Sequence, residues 1–180
     1  MQDRMFIAIE LPSDVREAIL QIEAGVPGAY WYEDDQLHLT VRYLGRIDGR
    51  KAESVAMAMR RLEPPPFELA LSGVGFFPPR GEVESLWVGV DKSPELERLR
   101  ARVDGVATKL GIEPDRRRYM PHVTIARTEN VHEGRLADFL AGHALWKSRT
   151  FRVDSLTLFS SRDRDWGPEY QREEVFLLRP

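Results

Sequence analysis

An α+β fold is what the chain's pattern predicts, on three observations. Short apolar runs bounded by Gly and Pro alternate with segments whose apolar residues recur at helical spacing. The order of these elements is echoed in the two halves of the chain, and no low-complexity stretch divides its 180 residues. With 42% hydrophobic and 31% charged residues, the composition is that of a chain that folds rather than one that stays disordered. The length suits one domain or two small, tightly joined lobes.

Residues 5–10 are an apolar run suited to a strand. Ser13 then offers an N-cap to a helix on which Val15, Ile19 and Ile22 fall at helical spacing. After a turn around Gly25, Pro27 and Gly28, residues 37–44 alternate: Leu37, Leu39 and Val41 against His38, Thr40 and Arg42, predicting a strand with one apolar and one polar face. Gly45 and Gly49 punctuate, residues 51–62 predict a second helix, and Pro64, Pro65 and Pro66 stop it. Residues 67–77 and 85–90 read as strands separated by the turn residues Pro78, Pro79 and Gly81. Ser93 caps a third helix whose buried stripe is Leu96, Leu99, Val103, Val106, Ala107 and Leu110, and Gly111 closes it. A strand over 122–127, a helix over 134–141 and strands over 151–160 and 173–178 complete the second half.

Composition excludes several kinds of chemistry. There is no cysteine, so disulfides, thiolate metal sites and cysteine nucleophiles are absent together, and a cytoplasmic location is the default expectation. The opening MQDRMFIAIELP has neither the long apolar core nor the small-residue cleavage site of a signal peptide. No apolar run reaches the roughly 20 residues of a membrane span, so no membrane association is expected. Lys plus Arg number 26 against 29 Asp plus Glu, a net charge of -3, which argues against a general nucleic-acid coat. Any nucleic-acid substrate must be held locally.

Two motifs carry the chemistry. LHLTVRYLG contains His38, Thr40 and Arg42; PHVTIART contains His122, Thr124 and Arg127. Side chains at i and i+2 of a strand share a face, so each motif sets an imidazole beside a hydroxyl about 7 Å along the chain. With six threonines in the chain, a histidine meets one at +2 by accident about one time in thirty, yet two of the four histidines do so. Cleavage of a phosphodiester by water needs a base for the nucleophile, an acid for the leaving oxygen and donors for the non-bridging oxygens. Histidine suits the first two roles because its ordinary pKa, about 6.5, leaves both protonation states accessible. Threonine hydroxyls donate to phosphate without adding charge. Residue types alone leave the acid and base labels interchangeable.

HLTVRYLG and PHVTIAR resemble the paired H-x-T/S-x signatures of the two-histidine (2H) phosphoesterase superfamily. Their flanks are similar to the RNA 2′,3′-cyclic phosphodiesterases, also called 2′-5′ RNA ligase-like proteins. FIAIELP followed by a helix, the Leu-Gly that ends the first motif, the Pro before His122 and a motif spacing of about half a chain extend the resemblance over nearly the whole sequence. It implies a bilobal, pseudo-twofold fold of two antiparallel sheets with helices on the outer faces and one motif on each side of a cleft. Residues 1–180 would form one domain of two interleaved lobes. The implied activity is metal-independent hydrolysis of a 2′,3′-cyclic phosphate on RNA to a 2′-phosphate, without a cofactor. His38 would be the proton donor toward the leaving 3′ oxygen, His122 the proton acceptor, and Thr40 and Thr124 the phosphate-binding pair; the two histidines exchange roles when the reaction runs backward as 2′-5′ ligation. The implied partner is RNA with a cyclic phosphate end, with ATP or small nucleotides as further ligands and a monomeric protein.

Other residues are candidates for contacting substrate. Alternation puts Arg42 on the His38 face, facing phosphate or RNA backbone, and Tyr43 on the opposite face, in core or rim. Arg127 is odd in parity to His122 and points away from it unless a bulge re-aims it, although its place in the motif is family-like. Arg118, with Arg116 and Arg117, forms a basic run that would flank the cleft and guide RNA. Phe76 and Phe77 read as packing residues. His132 and His143 lack a threonine at +2 and stay outside the mechanism. Asp34, Asp35, Asp163 and Asp165 have no metal-ligand spacing and read as exposed turns. Two alternatives remain: a non-catalytic module that binds RNA ends, or a phosphodiesterase for small cyclic nucleotides, 2′-5′ oligonucleotides or an ADP-ribose cyclic phosphate.

Overall fold

The computed structural model describes residues 2–77, 84–165 and 167–180. In chain order the elements are β1 (Gln2–Glu10), α1 (Ser13–Leu20), β2 (Ala29–Trp31), a 3₁₀ turn (Asp34–Gln36), β3 (His38–Asp48), α2 (Gly49–Arg60), β4 (Phe67–Leu69), β5 (Leu71–Phe77), β6 (Ser85–Val90), α3 (Pro94–Lys109), β7 (His122–Thr128), α4 (Glu133–Gly142), β8 (Phe151–Val153), β9 (Ser155–Arg164) and β10 (Gly167–Leu177). They build two four-stranded sheets, ordered β10-β9-β1-β3 and β2-β7-β6-β5, and a two-stranded sheet of β4 and β8. Among the described residues, every pairing of these strands is antiparallel. The first sheet takes strands from both ends of the chain.

The reason β1 lies inside its sheet is its continuous apolar run, buried on both faces. Met5, Ile7 and Ile9 enter the main core, while Phe6 and Ala8 join Phe159 in a small cluster on the other face. That second face becomes one wall of the site. Behind β3 lie α2 and α3, whose Val55, Met59, Leu96, Leu99 and Val103 fill the core. Ser93 caps α3 as expected, accepting from the Leu96 amide at 3.1 Å.

Several expectations are corrected. Ser13 is not the N-cap but the first helical residue; Pro12 holds the cap position, and its carbonyl accepts from the amides of Val15 and Arg16. α2 starts two residues before the expected 51 because Asp48 caps it, accepting from the Lys51 amide at 2.8 Å. The run 67–77 breaks at Ala70 into β4 and β5, which belong to different sheets, and 151–160 breaks at Asp154 into β8 and β9. The physical reason is the same at both breaks: the carbonyls of Ala70 and Asp154 accept from Asp91 and Leu178, outside either ladder. β2 is missed by the sequence pattern because it is only three residues long, although in the fold Tyr30 is exposed between the half-buried Ala29 and Trp31, and β10 starts at Gly167, before the expected 173, as a polar edge strand. The turn expected at Pro78, Pro79 and Gly81 lies outside the described residues. Among those residues, no helix is long and apolar enough to cross a membrane.

Candidate active site

Both histidines stand at the first residue of a strand, His38 on β3 and His122 on β7, one in each large sheet. Each ring is fixed by the main chain two residues earlier: His38 Nδ1 lies 2.9 Å from the Gln36 carbonyl oxygen, and His122 Nδ1 lies 2.7 Å from that of Met120. A carbonyl only accepts, so in both rings Nδ1 carries the hydrogen and Nε2 is left for chemistry. His38, Thr40, His122 and Thr124 all line one cleft of about 200 Å³, together with Arg4, Phe6, Tyr32, Tyr43, Arg127 and Tyr170. The two His-x-Thr pairs, 84 positions apart in the chain, thus face the same small volume.

Aromatic packing sets the ring planes. Phe6 stacks on His38 at a centroid distance of 4.8 Å, and Tyr170 meets the same imidazole edge-on at 4.9 Å. Across the cleft, Phe77 meets His122 edge-on at 5.0 Å and Trp87 lies 6.0 Å away. This enclosure is electrostatically costly for a cation. Burial pulls the His38 pKa down to about 4, with His122 adding to the effect and the Gln36 carbonyl and Glu10 opposing it. His122 is lowered too, first by burial, against its bond to Met120. The free protein therefore holds two neutral imidazoles near pH 7.

Beyond the threonine of each motif, both strands depart from simple alternation. On β3, Thr40 pairs with Ala8 and Arg42 with Ile7, leaving Val41 as an extra residue; on β7, Thr124 pairs with Trp87 and Ala126 with Leu86, leaving Ile125 extra. Each strand thus bulges at the third residue after its histidine, and the parity beyond is inverted. The bulged carbonyls are taken up: Val41 accepts from Arg100, and Ile125 from the Tyr32 amide.

The bulges correct two expectations and meet the condition set for a third. Arg42 does not share the His38 face. It is 2% exposed and points behind the sheet, bonding the Asp104 carboxylate at 2.6 Å and the carbonyls of Glu113 and Tyr43. Tyr43, expected on the opposite face, lines the cleft with its ring parallel to Phe6. Arg127 also lines the cleft, re-aimed by the bulge at Ile125 as its expectation allowed. Arg118 is exposed and does not line it. Phe76 packs against the core as expected, but Phe77 packs on His122. Asp34 and Asp163 pair with Arg16 and Arg4, and Asp163 lies on β9 rather than in a turn. Among the described residues, no three His, Asp or Glu side chains are disposed to hold a metal.

Sequence reasoning missed Phe6, Tyr32, Tyr170 and Arg4 as cleft residues. A partial signal existed for Phe6. In an apolar strand buried on both faces, alternate residues must serve two environments, so one of Phe6 and Ile7 had to face away from the main core. Tyr170 had none, since its segment GPEYQR resembles a loop.

The family model described as the 2′-5′ RNA ligase superfamily matches residues 11–165 of the chain. The protein belongs to this superfamily. An RNA 2′,3′-cyclic phosphodiesterase of Archaeoglobus fulgidus is 28% identical over 176 residues, covering 96% of this chain and 99% of the relative. One of Escherichia coli is 32% identical over 132 residues, 69% of this chain and 71% of that one. Among solved structures, E. coli LigT complexed with 3′-AMP superposes with a TM-score of 0.81 at 24% identity and full coverage of both chains. TT0787 of Thermus thermophilus gives 0.80 at 24% identity over 98% of each. The α+β fold of a 2H phosphoesterase is therefore that of this superfamily member, as its two motifs imply.

Proposed function

We propose that this 2′-5′ RNA ligase superfamily member hydrolyses RNA 2′,3′-cyclic phosphate ends to 2′-phosphate, as an RNA 2′,3′-cyclic 3′-phosphodiesterase. The observation that carries the reading is the pair of imidazoles facing one cleft, each held at Nδ1 by a main-chain carbonyl and each beside a threonine. The names of full-length relatives support the substrate. Thr40 and Thr124 hydroxyls donate to the non-bridging oxygens, and Arg127 adds the positive charge that a diester anion requires. His122 Nε2 takes a proton from water as its oxygen attacks phosphorus. The bond from phosphorus to the 3′ oxygen breaks, and His38 Nε2 protonates that oxygen, leaving the phosphate on the 2′ oxygen. Burial drives His38 toward neutrality in the free protein, so its proton is taken up with the substrate: the diester's negative charge favours the imidazolium that burial disfavours.

Both motifs come from one chain, which supports a monomer working as one domain of two interleaved lobes, and a cysteine-free composition fits the cytoplasm. The decisive experiment incubates oligonucleotides ending in 2′,3′-cyclic phosphate with the protein, with and without chelator, and identifies the phosphate position. A 2′-phosphate product, lost in His38→Ala and in His122→Ala at unchanged melting temperature, is expected. A 3′-phosphate product contradicts the assigned leaving oxygen. Tight binding without product favours a binding module.

A further inference from the structure

We infer that Tyr119, which does not line the cleft, is a positioning residue whose hydroxyl sets the first His-x-Thr motif against the second. The inference rests on the cyclic phosphodiesterase reading and adds to it a group that acts through others. One phosphate must meet both motifs at once. Yet β3 and β7 belong to different sheets, so among the described residues no ladder bond sets the distance between their histidines. Two adjacent residues supply that link. The Tyr119 hydroxyl donates to the Thr40 carbonyl oxygen at 2.8 Å, and the carbonyl of Met120 lies 2.7 Å from His122 Nδ1, whose hydrogen it accepts. The main chain of the phosphate-binding threonine in one sheet and the ring of the histidine in the other are thus held by one dipeptide. Burial raises the Tyr119 pKa, so the hydroxyl keeps its hydrogen and stays a donor.

The ring is itself held. The guanidinium of the buried Arg100 lies 4.8 Å over its centroid and donates to the Val41 carbonyl, so two consecutive carbonyls at the β3 bulge, those of Thr40 and Val41, are taken from behind by one stacked pair. The lead-in to β7, residues 112–121, contains neither helix nor strand, so its course is fixed by side-chain contacts. Arg42 bonds the Glu113 carbonyl at 2.7 Å, Arg100 pairs with Asp115 at 3.7 Å, and the Tyr119 hydroxyl is the last of these contacts to β3 and α3 before His122. Packing alone does not call for the hydroxyl, since the ring already lies against the core and phenylalanine would fill the same space. What the oxygen adds is a directed bond between the motifs. Displacements of about 1 Å between groups acting on one reacting centre cost up to about 10²-fold in rate.

The test is Tyr119→Phe, which keeps the ring, its packing and the Arg100 stack and removes only the donor. Steady-state kinetics on an oligonucleotide ending in adenosine 2′,3′-cyclic phosphate are measured well below the melting midpoints of both proteins. We expect kcat to fall roughly tenfold with KM within about twofold of wild type, because the substrate binds through either motif whereas the transition state needs both in place. The second readout is the Nδ1–H proton signal of His122 in 15N-labelled protein, expected to shift or broaden as its Met120 acceptor loosens. A wild-type kcat overturns the inference, even with a lowered melting midpoint, which would make the hydroxyl merely structural. A rise in KM at unchanged kcat overturns it too. Should the wild type not turn over the cyclic-phosphate end, the functional reading falls separately. The His122 signal then decides the positioning role, and an unmoved signal in Tyr119→Phe overturns it.

Discussion

Replacing Arg42 by alanine separates two incompatible roles for a motif residue. Alternation puts this arginine beside the phosphate, whereas the bulge at Val41 turns it behind β3. There its guanidinium bonds Asp104 on α3, the Glu113 carbonyl after α3 and the Tyr43 carbonyl. The Asp104 carboxylate is 41% exposed and rehydrates when its partner leaves, so that ion pair contributes only about 1 kcal/mol. The two carbonyls lose donors from a charged group, and a main-chain acceptor left bare costs about 1–3 kcal/mol where water does not reach it. Together with the lost packing of the aliphatic stem, the expected destabilisation is about 3 kcal/mol. For a chain of this size that corresponds to a fall in melting midpoint of about 6–12 °C. Thermal unfolding by circular dichroism measures it, and turnover of a cyclic-phosphate oligonucleotide well below the new midpoint measures the other half. We expect kcat/KM within about threefold of wild type there, with Arg42→Lys intermediate in stability because an ammonium does not reproduce a three-way fork. An Arg42→Ala protein with the wild-type midpoint and a tenfold or greater loss of kcat/KM would refute this placement and return the residue to the phosphate.

Three further outcomes are expected. The pH profile of kcat/KM, which reports the free protein, has its optimum on the acid side of 6.5, because burial holds His38 at about 4 and lowers His122 as well; the bound diester's charge acts oppositely, so the kcat optimum lies at higher pH, and coincident optima above pH 7 contradict this protonation scheme. Arg127→Ala raises KM for the cyclic-phosphate end by about tenfold or more, the loss of a charged hydrogen bond, with Arg127→Lys recovering part of it; steady-state kinetics showing no change would remove Arg127 from the substrate. Gly75→Ala sets a Cβ 2.1 Å from the Trp87 ring, which covers that glycine and stands beside His122, so unfolding is expected at a midpoint lower by several degrees, about 1–3 kcal/mol, with reduced turnover; an unaltered melt rules out the crowding.

Much of the fold is legible because burial imposes periodicity on the sequence. The stripe of Leu96, Leu99, Val103 and Ala107 marks α3, and Ser93 and Gly111 bound it, since capping and a left-handed turn are local requirements of one or two residues. The breaks at Ala70 and Asp154 are not legible, because they arise from which sheet each fragment joins and not from any local propensity. Nor is β2, which exists through its pairing with β7.

The His-x-Thr pairs belong to the sequence: a spacing of two on any extended chain sets histidine and threonine on one face, whatever the rest of the molecule does. Beyond the threonine, the tertiary structure takes over. A bulge is a mismatch between two strands, so no single strand's pattern records it. Through one such mismatch in each sheet, Tyr43 and Arg127 turn toward the cleft and Arg42 turns away from it. The same holds for the histidines' chemistry, since Phe6 and Tyr170 pack on His38 from β1 and β10, distant in the chain, and help to make the surroundings that hold its imidazole neutral.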